Sequence, residues 1–100
     1  MNRAIEGLNP HQIEAFCRKF HIRSLAFFGS VVREDFSEQS DIDVLVDFEH
    51  GHIPGFDFFL IEAELSRLLG YKVDLQTVGF LSSEFRETAL AEAIIAYEQA

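Results

Sequence analysis

The chain has 100 residues, of which 48% are hydrophobic and 11 are phenylalanine. This size and composition predict a single compact domain over residues 1–100, and they exclude an intrinsically disordered chain. Lys and Arg number 8 against 17 Asp and Glu, a formal net charge of −9, so we expect no direct binding to long nucleic acid, which selects basic surfaces.

The N-terminal segment, residues 1–12, lacks the apolar stretch of a signal peptide. The longest apolar run is five residues, Ala93 to Tyr97, and a membrane-spanning helix needs about 20, so we expect no membrane association. The single cysteine cannot form an internal disulfide, which fits a reducing compartment. These features together predict a cytoplasmic protein.

The first helix is predicted to begin at Asn9-Pro10, because Asn is a favoured N-cap and Pro a favoured first residue. Ile13, Phe16 and Cys17 follow at i, i+3 and i+4 spacing, which places them on one apolar face. A cysteine on such a face is predicted to be a buried, unreactive thiol and not a nucleophile.

Three segments have the pattern of β-strands. Residues 24–28 form a short apolar run, which predicts a buried strand. Residues 41–48 alternate, with Ile42 and Val44 on one face and acids on the other, as in a half-buried strand. Residues 71–78 alternate in the same way and predict the third strand.

Apolar stripes predict two further helices, over residues 56–69 and 83–98. Gly70 is a typical residue just after a helix C-terminus, and Tyr97 would lie on the apolar side of the last helix. The resulting order of elements predicts an α+β (α/β) domain, with a mixed sheet of about three to four strands flanked by helices.

Two carboxylates, Asp41 and Asp43, stand at the start of the second strand, where they oppose burial. Residues i and i+2 of a strand share a face, so these side chains project together from Cα atoms about 6.5–7 Å apart and repel unless a cation lies between them. Asp74 has the same setting on the third strand. If the two strands are neighbours, the three acids cluster as a two-metal site for phosphoryl transfer requires. For the first pair alone, solvated acids at a strand edge remain the alternative.

Gly29 and Ser30 follow the first strand and form a candidate phosphate site. Gly permits close backbone approach, Ser offers a hydroxyl, and a helix start presents N–H groups to phosphate. The pair is unspecific by itself, and its combination with the downstream acids is what carries information. The sequence contains neither a P-loop nor a GxGxxG motif.

Gly29-Ser30, ten intervening residues and Asp41-Ile42-Asp43 match the GS-x10-DxD motif of the DNA polymerase β-like nucleotidyltransferase superfamily. With the segments 54–77 and 80–98, the chain resembles the minimal nucleotidyltransferase (MNT) antitoxins over about residues 22–98. The resemblance implies a small nucleotidyltransferase fold. It also implies that Asp41, Asp43 and Asp74 bind two Mg²⁺ ions and that Asp74 helps to deprotonate the attacking hydroxyl.

The resemblance further implies that Gly29 and Ser30 hold the nucleotide triphosphate, with ATP as substrate. Arg33 falls at the Arg of the GSxxRG pattern common in the family and would add positive charge at the phosphates. Glu34 replaces the following Gly, which is a departure in the local loop. The alternative for Arg33 is a surface side chain paired with a nearby acid.

A partner is implied as well. Similar family members transfer AMP from ATP to a tyrosine of a HEPN-domain ribonuclease toxin and thereby silence it. We therefore expect a prokaryotic, cytoplasmic antitoxin that forms a hetero-oligomer with its toxin. One alternative is a non-catalytic antitoxin that neutralises the toxin by complex formation. Transfer to an RNA or to a small molecule such as an aminoglycoside is disfavoured by the acidic charge and the short chain.

Four other polar residues are predicted to take no part in catalysis. His50 and His52 lie in a turn-rich loop without zinc-like spacing to a Cys or an acid. Lys72 is expected to be solvated on its strand face, and contact with a phosphate is the alternative. Asp47 lies two strand steps beyond Asp43, too far to share its metals.

Overall fold

The computed structural model describes residues 7–32, 37, 39–77 and 83–99. The helices and strands in these residues are α1 (Pro10–Lys19), β1 (Ile22–Phe28), β2 (Ile42–Phe48), α2 (Asp57–Leu69), β3 (Val73–Thr77), α3 (Ser83–Glu92) and β4 (Ile94–Glu98), with a short 3-10 turn at Gly29–Val32. The longest helix has 13 residues, and no helix in the described part of the chain has the length and hydropathy to cross a membrane.

Helix α1 begins as the sequence predicts. The Asn9 side-chain oxygen accepts a hydrogen bond from the His11 backbone N–H at 2.9 Å, and Pro10 occupies the first helical position. Ile13, Phe16 and Cys17 are buried, and burial raises the pKa of the Cys17 thiol to about 12. The thiol therefore stays protonated near neutral pH, which agrees with its predicted inertness.

The four strands form one mixed sheet in the order β3-β2-β1-β4. Strand β1 is antiparallel to both β2 and β4, whereas β2 and β3 are parallel. A parallel pair needs a long crossover connection, and α2 provides it between β2 and β3. The predicted mixed sheet of three to four strands flanked by helices is confirmed.

The helix predicted over residues 83–98 is wrong in its second half. Helix α3 ends at Glu92, and β4 pairs with β1 along the edge of the sheet, with Tyr97 opposite Leu25. Residues 94–97 read Ile-Ile-Ala-Tyr, and β-branched and aromatic residues favour strands. The β1 edge also offers these residues interstrand hydrogen bonds, which a longer helix would leave unmade.

The two faces of the sheet differ in how much they bury. On the face covered by α1 and α2, Ile42, Val44 and Val46 of β2 join a core that contains most of the buried apolar residues. The opposite face has a small cluster in which Phe28 and Leu45 are buried. The alternation predicted for β2 is therefore confirmed, and Asp43 lies on the face where the described residues form the smaller apolar cluster.

Candidate active site

Gly29 and Asp43 are in contact where β1 ends. Phe28, the last residue of β1, is paired with Asp43 in the β1–β2 register. Gly29 then turns the chain with a φ of +72°, and a Cβ at this position would overlap the Asp43 carboxylate and lie 3.1 Å from its Cγ. Any other residue would be strained by the positive φ and would displace the carboxylate. Glycine is therefore required here for two separate reasons.

Ser30 lies in the short turn that follows. Val31 is fully buried and anchors this turn in the main core, while Ser30 itself is half-buried. The predicted phosphate-site pair is thus held on a packed support beside Asp43. The chain forms a 3-10 turn at Gly29–Val32. Arg33, the third predicted nucleotide-binding residue, lies outside the described residues.

Asp74 is the direct neighbour of Asp43 across two parallel strands. The β2–β3 register pairs Asp43 with Asp74 and Ile42 with Val73. Adjacent strands lie about 4.8 Å apart, and paired residues project from the same face. Asp74 Oδ2 also accepts a hydrogen bond from Gln76 Nε2 at 3.2 Å. The condition that the two acid-bearing strands be neighbours is therefore met.

Helix α2 holds β3 from the other edge. The backbone N–H of Val73 donates to Ser66 Oγ at 3.0 Å, and that of Leu75 donates to Glu62 Oε2 at 2.9 Å. The two acceptors are four residues apart on a helix, so they lie on one face and match residues two apart on the strand. This clamp satisfies an edge that would otherwise be open and fixes the backbone on both sides of Asp74.

Asp41 precedes β2 and lies near Lys72, which precedes β3. The backbone N–H of Ile42 donates to the Lys72 carbonyl at 2.8 Å, so the two strand starts are joined. Lys72 Nζ is 4.0 Å from Asp41 Oδ2, with both side chains substantially exposed, and such a surface pair contributes little to stability. Lys72 is 80% exposed, as its predicted solvation requires, and it is also the charged side chain that lies near the first predicted acid.

The chemistry of the three carboxylates suits Mg²⁺, which takes oxygen ligands and retains positions for phosphate oxygens. Asp43 and Asp74 start from paired strand positions, and the missing side chain of Gly29 leaves room at Asp43. As the side chains stand in residues 7–32, 37, 39–77 and 83–99, no three His, Cys, Asp or Glu groups converge on a metal-binding position. Ligation by the three acids therefore stays a prediction.

Apart from Lys72, the residues predicted to be outside the site make their described contacts elsewhere. His50 and His52 are exposed, and the His52 ring stacks on His21 with centroids 4.0 Å apart. Asp47 pairs with Arg23, whose Nε lies 3.0 Å from Asp47 Oδ2.

Sequence reasoning missed three supporting residues, Glu62, Ser66 and Gln76. Glu62 and Ser66 flank the apolar stripe of α2, as most polar helix residues do. Only the pairing of α2 with β3 reveals their contacts, so no pattern in the sequence marks them. Gln76 is two residues from Asp74 on the same strand, so the two side chains share a face. This spacing could have indicated Gln76 from the sequence.

The sequence matches the nucleotidyltransferase domain family over residues 11–96. The chain belongs to this family, and the predicted nucleotidyltransferase class is confirmed. Among curated proteins it is similar to the protein adenylyltransferase MntA of Thermococcus cleftensis, with 42% identity over 91 residues that cover 90% of each chain.

Solved structures show the same fold in toxin–antitoxin complexes. A chain of a toxin–antitoxin crystal structure with AMP-PNP superposes with a TM-score of 0.74 and 19% identity, covering 92% of this chain and 75% of that one. A chain from the tri-AMPylated Shewanella oneidensis HEPN toxin in complex with MNT antitoxin gives a TM-score of 0.65 and 16% identity, covering 90% and 70%. At these identities the similarity concerns the fold.

Proposed function

We infer that this chain is the antitoxin of a HEPN/MNT-type pair and transfers AMP from ATP to a tyrosine hydroxyl of its HEPN-domain toxin, with Mg²⁺ required. The observation that supports this best is the position of Asp43, against Gly29 on one strand and beside Asp74 on the next. The name of the 42%-identical relative supports protein adenylylation. The complexes that share the fold support an adenine nucleotide and a HEPN partner.

The turn after β1 is the proposed nucleotide end of the site. Gly29 lets the backbone approach the triphosphate closely, and the Ser30 hydroxyl donates to a phosphate oxygen. Because Val31 is buried, the turn is expected to hold its shape when the nucleotide binds. Arg33 follows in the chain and adds positive charge at the phosphates in this proposal.

The proposed reaction is an in-line displacement at the α-phosphorus of ATP. The tyrosine oxygen forms the new P–O bond while the bond to the bridging oxygen of the β-phosphate breaks, and pyrophosphate leaves. Asp74 accepts the proton of the hydroxyl. The hydrogen bond from Gln76 restricts rotation of the Asp74 carboxylate, which keeps the base oriented for this transfer.

Asp41, Asp43 and Asp74 are the residues that would hold two Mg²⁺ ions. When bound, Mg²⁺ offsets the charge of the triphosphate and of the leaving pyrophosphate. Without a counter-charge, three carboxylates beside a triphosphate would repel it. Lys72 provides part of that counter-charge at Asp41.

A protein acceptor suits a small acidic chain better than a nucleic acid does. The net charge of −9 disfavours long phosphate backbones, whereas a protein partner can bring its own positive charge and present the acceptor hydroxyl. The proposal therefore includes a hetero-oligomer with the toxin in the cytoplasm of a prokaryote. It also treats residues 1–100 as one minimal nucleotidyltransferase domain.

The alternative is an antitoxin that neutralises by binding alone, and the exposed apolar side chains on α2 favour a stable complex. The two functions differ in the amount of antitoxin they require, because an enzyme can modify many toxin molecules whereas a binding antitoxin must remain bound to each one. We expect this chain, at about one-tenth of the toxin concentration, to abolish the ribonuclease activity of the HEPN toxin encoded beside it once ATP and Mg²⁺ are added. The Asp41→Asn/Asp43→Asn variant should fail under the same conditions.

If neutralisation needs as much antitoxin as toxin and does not depend on ATP, the proposed transferase activity is contradicted. Neutralisation by complex formation would then be the function. The double variant serves as the matched control, because it keeps side-chain size while removing two negative charges. Its unfolding midpoint should be unchanged or higher, since like charges are removed.

A further inference from the structure

Helix α2 and the loop before it expose an unusual amount of apolar surface. Phe56 is 95% exposed, Ile53 78%, Phe59 69% and Leu60 52%. These four residues, here called the α2 outer patch, fall within eight consecutive positions of the chain. Single exposed apolar residues are ordinary, but clusters of this kind mark interaction surfaces.

The pattern of α2 shows that the patch is an additional apolar face and not a misplaced core. Ile61, Leu65 and Leu69 are buried and join the main core. Phe59 and Leu60 point away from it, and exposed Ala63 continues their side of the helix at i+3 and i+4. A helix that is apolar on both sides is normally covered on both sides.

The size of the patch suits a protein–protein contact. Four such side chains offer on the order of 500–600 Å² of apolar surface, at the upper end of what a monomer usually exposes. One side of a standard complex buries about 800 Å². The α2 outer patch therefore provides most of one such interface, with the remainder left for a polar rim.

The negative charge of the chain indicates which kind of partner the α2 outer patch binds. Two copies meeting at this surface would bring together two chains of net charge −9, which repel. Exposed Asp57 lies inside the patch in sequence and would face its own copy across a symmetric contact. A partner with an apolar surface edged by Lys or Arg is complementary in both respects.

The patch is separate from the acid-bearing end of the sheet. Helix α2 runs antiparallel to β3, since Ser66 is level with Val73 and Glu62 with Leu75. Phe59 is nearly one turn before Glu62, so it lies toward Thr77, about 10 Å along the strand from Asp74. Helix α2 also covers the core face of the sheet, whereas Asp43 and Asp74 project from the opposite face, so an occupant on the outer side of α2 does not need to cover the acids.

We propose that the α2 outer patch is the docking surface for the HEPN-domain toxin, which covers it with an apolar surface edged by basic residues. This inference rests on the proposed function for the identity of the partner. Docking at the patch holds the toxin while its tyrosine reaches the separate transfer site. It also explains why a small acidic chain retains four exposed apolar side chains.

The test measures affinity for the toxin by calorimetry without ATP or Mg²⁺, so that binding is separated from transfer. Phe56→Gln/Phe59→Gln removes the two aromatic rings without changing net charge, and we expect it to weaken binding at least about tenfold. Leu90→Gln is the matched control, because Leu90 is 51% exposed on α3, and it should bind as the native chain does. Raising the salt from 0.1 to 1 M should weaken native binding by less than about tenfold, because salt screens the basic edge of the partner but not the apolar contacts. A complete loss of binding would overturn the apolar docking surface.

Each outcome bears on the proposal separately from the proposed function. Native affinity in the double Gln variant, with normal AMP transfer by the native chain, would overturn the docking surface and leave the transferase intact. Binding that depends on the patch, without any transfer, would support the docking surface and contradict the transferase. A native chain that neither binds nor modifies the toxin would overturn both. A homodimer that the double variant loses, with toxin affinity unchanged, would assign the patch to a second copy of this chain.

Discussion

Strand β2 contributes side chains to two faces of the sheet, which differ in burial and in charge. Toward α1 and α2 it presents Ile42, Val44 and Val46, which are at most 1% exposed. On the other face it presents Asp43 and Leu45, and in the described part of the chain the apolar cluster beside them is small. The first face contributes stability through burial, and the second keeps charged groups near solvent.

This difference shows how a small domain can hold repelling carboxylates. The acids are placed on the side where their desolvation is limited, and the strands that carry them are fixed by the apolar face behind. Glu62, Ser66 and the β2–β3 pairing hold the backbone around Asp74. Changes to the two faces should therefore have separable effects, on folding for one and on activity for the other.

The largest expected effect is on the acid face. Asp43→Asn keeps the shape beside Gly29 but removes a proposed metal ligand, and we expect AMP transfer to fall about a thousandfold, or ~4 kcal/mol, with the unfolding midpoint not lowered. Asp47→Asn is the matched control on the same strand and face, where Asp47 pairs with Arg23. AMP transfer is measured for both variants. An equal loss of activity in the two would contradict the proposed role of Asp43 as a metal ligand.

The next effect is on the core face. Leu65 is fully buried, and Leu65→Ala should lower the free energy of unfolding by about 2–5 kcal/mol, because it leaves a cavity. Leu60→Ala changes the same residue type on the exposed side of the same helix and should lower it by less than about 1 kcal/mol. Urea titration measures both. Equal values would mean that the two sides of α2 are not distinct.

A smaller effect is expected at the clamp between α2 and the edge strand β3. Glu62→Leu leaves the Leu75 N–H without its acceptor, and we expect about tenfold weaker transfer and a higher Mg²⁺ requirement. Glu62→Gln retains an acceptor oxygen and should restore both. Hydrogen exchange at the Leu75 amide should rise only in the Leu variant. If Gln and Leu variants behave alike, the charge of Glu62 matters and the clamp does not.

The smallest effect concerns Cys17, which lies in the core. Its thiol pKa is raised to about 12 by burial, above the ordinary value of 9.0, so the folded state disfavours the thiolate. Stability from this group is complete below pH 9 and is lost as pH rises toward 12. Iodoacetamide at pH 8 should therefore label the thiol only after denaturation. Rapid labelling of the native protein would show that the core around α1 opens readily.

Much of the fold could be predicted because local patterns and the tertiary structure agree. Asn9-Pro10 marks the start of α1, and the alternation in residues 41–48 assigns both faces of β2. The last helix failed at residues 94–98, where apolar residues suit a helix stripe as well as a strand. The β-branched and aromatic residues of this segment favour a strand, but its pairing with β1, about 70 residues away in sequence, decides the outcome and cannot be read from the segment alone.

The candidate site also contains residues that the sequence could predict and contacts that only the folded structure reveals. The acids and Gly29-Ser30 were predictable because motif spacing and strand periodicity place them without knowledge of the whole fold. The contact between Gly29 and Asp43 and the clamp by Glu62 and Ser66 depend on strand register and helix docking. Arg33 lies outside the described residues, and its role in nucleotide binding stays a prediction.

We propose that Asp41, Asp43 and Asp74 serve AMP transfer to a protein. This proposal is tested by intact mass spectrometry of the neighbouring HEPN toxin after incubation with this chain, ATP and Mg²⁺. We predict mass increments of whole AMP groups on the toxin with the native chain and none with Asp41→Asn/Asp43→Asn. An unmodified toxin in a stable complex with the native chain would contradict the claim, and so would equal modification by the double variant.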